Sequence, residues 1–136
     1  MNSQQFIVAL HQLEDNGDIE PLVKLYAEHV QIWSPELNRR GTGLTAAREF
    51  WKEYRATFAS VHSDFHLIIE CDSTAALEWE SKGVLEANKK PFNYRGVTIL
   101  EWSDNHICRF ATYFDPHELY VEHPHPVFPS EQERAA

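Results

Sequence analysis

Apolar positions recur at helical spacing through the first part of the chain and alternate through the rest. Phe6, Leu10 and Leu13 fall at i, i+4 and i+7, one face of a short helix that Gly17 ends. Asp18 then stands at an N-cap position with Pro21 in the first turn, and Ile19, Leu22, Val23 and Tyr26 make the next helical stripe. Val30-Gln31-Ile32-Trp33 alternates up to Ser34-Pro35, which predicts a short strand. Asn38 to Gly43 predicts a loop rich in Arg and Gly. A third helix follows, with Ala47, Phe50, Trp51, Tyr54 and Phe58 on one heavily aromatic face.

From His62 the period changes to that of strands. His62–Cys71 and Thr74–Ala87 flank an Asp72-Ser73 corner, and Asn88-Lys89-Lys90-Pro91 turns into a strand over Phe92–Trp102. Asp104-Asn105 turns again into Ile107–Phe114. Helices first, then a meander of long antiparallel strands, predict an α+β domain with helices packed on one face of the sheet. Strands this long twist and coil, so the sheet can curl around whatever lies on its concave side.

At 136 residues the chain is one domain long, and 43% hydrophobic with 24% charged residues is the balance of a folded globular protein. The net charge of −9 disfavours nucleic acid and would be repelled by an anionic membrane surface. No run approaches the ~20 apolar residues of a membrane span. Gln4 and Gln5 lead into Phe6 without the basic-then-apolar layout of a signal peptide, so a cytoplasmic location is expected by default. Cys71 and Cys108 sit in apolar segments without CxxC spacing and are expected as reduced, buried thiols. The domain is expected over 1–122, and 123–136, with Pro124, Pro126 and Pro129, as a Pro-rich polar tail.

Ala76-Leu77-Glu78-Trp79 with Gly83, then Arg95-Gly96-Val97, then His106-Ile107 leading to Tyr113-Phe114-Asp115-Pro116, resemble the SnoaL-like branch of the nuclear transport factor two-like superfamily. The match in order and spacing runs over roughly residues 3 to 121. The resemblance implies a cone: a curved antiparallel sheet wrapped around three helices, with an apolar internal pocket open at one end. It also implies a homodimer, here through the outer sheet face around Arg95, Val97, Ile99 and Tyr113. No cofactor is expected. Relatives include polyketide cyclases, ketosteroid isomerases, limonene-type epoxide hydrolases, dehydratases and members without demonstrated chemistry, so fold transfers further than function.

The relatives' catalytic positions are changed here. Where isomerase-like proteins carry a carboxylate base before the Pro that ends the first strand, this chain has Ser34, no base at neutral pH. The epoxide hydrolases' water-holding Tyr and Asn fall on Gln31 and Trp33, and their Asp falls on Thr112. The remaining catalytic candidates are Glu80, His66 (or His62) and Asp115. Glu78 and Glu80 share a strand face, and turned into an apolar cone they would make an acid/base pair; turned outward, with Ala75, Leu77 and Trp79 inside, they are a solvated face. Asp115 with Pro116 and Glu118 has the pattern of an N-cap, an N1 proline and a capping-box Glu beginning a short helix through Tyr120, beside its place in the family signature.

Trp33, Trp51, Tyr54, Phe58, Tyr94, Thr98, Phe110, Thr112 and Phe114 are the candidate pocket residues, the aromatic ones equally suited to an ordinary core. By the family analogy Phe92, Tyr94, Gly96, Thr98, Leu100 and Trp102 face the cone, with Gly96 a point of close backbone approach. No metal is expected: His62 and His66 on one strand lie roughly 13 Å apart, and Glu122, His123 and His125 lack a fixed fourth ligand. Two functions remain in view. One is the binding of a small apolar, ring-containing molecule without a complete catalytic set. The other is a cofactor-independent cyclase, isomerase or dehydratase acting on a carbonyl-bearing or polycyclic substrate.

Overall fold

Asn2 opens the first element with a reciprocal cap. Its side chain accepts from the Gln5 N–H at 3.1 Å, and its own N–H donates to the Gln5 side chain at 2.9 Å. The computed structural model describes residues 1–120 of the chain, so the predicted tail and its Glu122, His123 and His125 lie outside the described residues. In order these form α1 (Ser3–Asn16), α2 (Glu20–Leu25), β1 (Tyr26–Ser34), a 3-10 turn at Pro35–Leu37, β2 (Arg39–Thr42), α3 (Leu44–Thr57), β3 (Phe58–Cys71), β4 (Thr74–Leu85), β5 (Pro91–Ser103), β6 (His106–Phe114) and α4 (Pro116–Tyr120). Gly17 ends α1 in the left-handed region, at φ 74°. Asp18 bonds the Glu20 N–H, but the residue at the cap position of α2 is Ile19.

The strands make one curved, unclosed sheet in the order β2-β1-β6-β5-β4-β3. The α+β class holds. Two features differ from the antiparallel meander. β1 runs parallel to β6, pairing Ile32 with Phe110, and the Arg-Gly segment is not a loop but strand β2, with Arg40 opposite Trp33. β3 also begins four residues earlier than expected, at Phe58, which therefore opens a strand instead of closing the third helix.

Curvature has local causes. β3 carries bulges between Phe58 and Ser60 and between Phe65 and Leu67, and β5–β6 pairing shifts register between Glu101 and Trp102. At the first bulge Gly83 meets the Ser60 carbonyl so closely that a Cβ would lie 2.0 Å from its oxygen. Beyond the second bulge Leu67, Ile68 and Ile69 are exposed on β3, the last strand of the sheet.

The concave face packs on α1 and α3. Phe6, Leu10 and Leu13 from α1 and Ala47, Phe50 and Trp51 from α3 join Leu77, Leu100, Ile107 and Phe110 in one buried cluster. A second cluster, with Phe58, Trp79, Phe92, Tyr94 and Leu119, lies toward α4. α1 is anchored to β3 at both ends: Ser3 N–H and Oγ both donate to Glu70, at 2.8 and 2.7 Å, and Glu14 reaches Ser63. Among the described residues no helix is long and apolar enough to cross a membrane.

Candidate functional site

Strand alternation decides which side chains reach the interior. On β4 the odd positions Ala75, Leu77, Trp79 and Ser81 are buried, which places Glu78, Glu80 and Lys82 on the convex side. On β5 Phe92, Tyr94, Thr98 and Leu100 are buried together, as the family analogy implied. Gly96 lies between them beneath the Trp79 ring; a Cβ there would come within 2.4 Å of that ring and 2.5 Å of the Tyr113 carbonyl oxygen. This close approach seats Trp79 so that its Nε1–H donates to Thr98 Oγ1 at 2.9 Å.

Between the two clusters the concave side holds a cavity of about 260 Å³. Aromatic residues make up half of its lining, many of the rings meeting edge to face. Tyr54 meets Trp51 at 5.2 Å and Phe58 at 5.1 Å, and Tyr94 meets Trp79 at 5.0 Å and Phe114 at 5.3 Å. Arg39 and Glu53 also line it, but they are half exposed and joined to each other in a salt bridge.

The polar part of the wall is built around a carboxylate that the sequence reading did not single out. Glu14, on α1, is only 4% exposed. It accepts from Ser63 N–H at 2.9 Å, Ser63 Oγ at 2.6 Å and Tyr54 Oη at 2.6 Å. Three donated hydrogen bonds offset the cost of burying this side chain. Ser63 Oγ lies 2.5 Å from Ser81 Oγ, and Tyr54, Ser63 and Ser81 all face the cavity. Burial, then the neighbouring Tyr94 and Glu14, hold the Tyr54 phenol well above its ordinary range, so it stays a donor. A signal for Glu14 exists in the sequence: it stands four residues after Leu10 and eight after Phe6, on the edge of the apolar stripe.

Of the candidate pocket residues, Trp51, Tyr54, Phe58, Tyr94, Thr98, Phe110, Thr112 and Phe114 line the cavity. Trp33 does not. Its neighbours Ile32 and Ser34 point inward, so Trp33 faces outward under the Arg40 guanidinium, 4.3 Å from the ring centre. The three catalytic candidates are also outside the cavity wall. Glu80 lies opposite Arg95 across β4–β5 and bonds its Nε at 3.1 Å, with Lys82 at 3.6 Å and exposed His66 at 4.0 Å. Asp115 accepts from the His117 N–H at 2.9 Å and caps α4. Cys71 is exposed and Cys108 half-buried; neither is the fully buried thiol expected.

A metal-like grouping does occur at the back of the polar wall. His11, Glu14 and His62 place ligand atoms within 4.8 Å of one another, whereas ligands on one zinc ion sit roughly 3.4 Å apart. Each is otherwise engaged: Glu14 as above, His11 Nε2 with the Ser63 carbonyl at 2.8 Å and His62 Nε2 with Asp64 at 3.2 Å. Of the two histidines, His11 therefore supports the Glu14–Ser63 contact through the Ser63 carbonyl, and His62 stacks on the His11 ring at 5.0 Å.

Residues 7–110 match the SnoaL-like domain family. The chain belongs to that family. Solved structures agree on the fold of this SnoaL-like protein at low identity. A nuclear transport factor two-like protein from Anabaena variabilis superposes with a TM-score of 0.75 at 19% identity, covering 83% of this chain and 86% of its own. A protein of ketosteroid isomerase-like fold from Catenulispora acidiphila, solved with trimethylamine, gives 0.77 at 15% identity, covering 90% and 94%. TerC, co-crystallised with polyporic acid, gives 0.70 at 16% identity, covering 86% and 95%. Among curated proteins none matches this SnoaL-like sequence.

Proposed function

We propose that this SnoaL-like protein binds a small, apolar, ring-containing molecule in its cone, as a binding domain and not a catalyst. The observation that carries the reading is the cavity of about 260 Å³ with its wall of aromatic rings, a shape and surface suited to a flat guest. The solved relatives crystallised with trimethylamine and polyporic acid support the use of this fold for small organic molecules. The alternative, an acid/base enzyme, loses the proton-moving group assigned to it, because Glu80 is bound to Arg95 on the convex side. Ser34 and Thr112 stand where relatives hold carboxylates.

Native mass spectrometry of the purified protein tests the reading directly. The expected result is one small organic molecule retained per chain, or, for an emptied sample, micromolar uptake of 2-naphthol by calorimetry. A protein that carries nothing and takes up no aromatic probe would end the proposal.

A second copy of the chain is the proposed protein partner. The convex face presents half-buried Val97 and Ile99 beside exposed Tyr113, an apolar strip bordered by the Arg95–Glu80 and Arg109–Glu101 pairs. Sedimentation at micromolar concentration should give a dimer that Tyr113→Asp weakens. A monomer throughout the range would exclude it.

A further inference from the structure

We infer that the Tyr54–Ser81 stretch of the cavity wall is a one-way hydrogen-bond acceptor, so that it selects ring compounds carrying a hydroxyl or N–H donor, such as phenols. The inference rests on the proposed binding of a ring-containing guest and goes on to its chemical class.

The direction follows from counting hydrogens. A carboxylate has none to give, so all three of the Glu14 contacts must be donated to it. Ser63 spends its single hydroxyl hydrogen on Glu14 Oε2, and Tyr54 spends its own on the same oxygen. The 2.5 Å contact between Ser63 and Ser81 can then be made in one sense only, with Ser81 donating and Ser63 accepting. Ser81 has no hydrogen left, and what it turns to the cavity is lone pairs. The same holds for Tyr54 Oη. Both residues line the cavity, so at this stretch of the wall a guest oxygen that can only accept meets lone pairs, while a hydroxyl finds an acceptor; the Thr98 and Thr112 hydroxyls, bonded to each other with Thr98 also accepting from Trp79, lie on a separate part of the wall. Glu14 does not line the wall; it sets the sense of the chain from behind and is a positioning residue.

Two naphthalenes that differ in this property provide the test. At neutral pH 2-naphthol carries a donor and 2-acetylnaphthalene only an acceptor. Calorimetry on the full chain should find 2-naphthol bound about tenfold more tightly, the effect of one buried hydrogen bond made against one refused. Glu14→Gln supplies the sharper readout. An amide –NH2 in place of one carboxylate oxygen donates to Ser63 or Tyr54, releases their hydrogens and lets the chain reverse. The preference should then fall below about threefold or invert toward 2-acetylnaphthalene. Ser81→Ala removes one of the two cavity-side acceptors and should narrow the same ratio without touching Glu14.

Equal binding of the two probes to the native protein would overturn the donor rule while leaving an apolar pocket in place. A Glu14→Gln protein that keeps the native ratio would overturn it as well. If neither probe nor naphthalene itself binds, the pocket reading fails and the rule falls with it.

Discussion

Gly96→Ala should cost about 3 kcal/mol and lower the thermal midpoint by roughly 10 °C. A single methyl group is enough because both neighbours are fixed. The new Cβ would sit 2.5 Å from the Tyr113 carbonyl oxygen, which belongs to the adjacent strand and cannot withdraw without breaking the β5–β6 pairing. On the other side it would meet the Trp79 ring at 2.4 Å. If Trp79 moves instead, it gives up its bond to Thr98 and swings into the cavity, so the aromatic probes should lose affinity along with the stability. Thermal unfolding followed by circular dichroism is the measurement. A variant within 2–3 °C of the native protein would mean that Trp79 does not rest on Gly96.

Glu14→Ala is expected to be the costliest single truncation at the site, about 4 kcal/mol by urea denaturation. It strands Ser63 N–H, Ser63 Oγ and Tyr54 Oη at once in a region closed on the far side by α1. Each lost bond to a charged acceptor is worth roughly 1.5–3 kcal/mol, and the sum is reduced because freed groups partly re-pair or recruit water. Glu80→Ala provides the contrast. Its partners Lys82 and His66 are more than half exposed and Arg95 about a third, so its ion pairs contribute under about 1 kcal/mol. Equal losses from the two truncations would show that Glu14 is not the centre of the buried network.

Much of the architecture can be read from residue order because strand alternation and helix periodicity are local. The buried odd positions of β4 are visible as Ala75, Leu77 and Trp79, and their burial places Glu80 on the opposite, convex side. The parallel pairing of β1 with β6 is not visible, since it depends on how the intervening chain travels and leaves no mark in either segment. β2 is hidden for a different reason. Arg39-Arg40-Gly41-Thr42 has no alternating apolar residues, and its place in the sheet rests on main-chain pairing to β1.

The candidate site divides the same way. The aromatic wall follows from faces that sequence patterns define, which is why eight of the nine named residues reach the cavity. The hydrogen-bonded chain does not. Glu14, Tyr54, Ser63 and Ser81 come from four separate elements, and a serine on a strand looks the same in sequence whether it bonds water or a buried carboxylate. The Glu on an apolar helical stripe is the one local irregularity that marks the place.

Leu67, Ile68 and Ile69 stand at the border of the sheet, where β3 pairs on one side only among the described residues. Three consecutive bulky aliphatics on an edge strand are the makings of a template for intermolecular cross-β growth. The bulge between Phe65 and Leu67 interrupts the straight hydrogen-bonding rail that such growth requires. The irregularity that bends the sheet therefore also breaks the straight edge along which strand-by-strand growth would proceed.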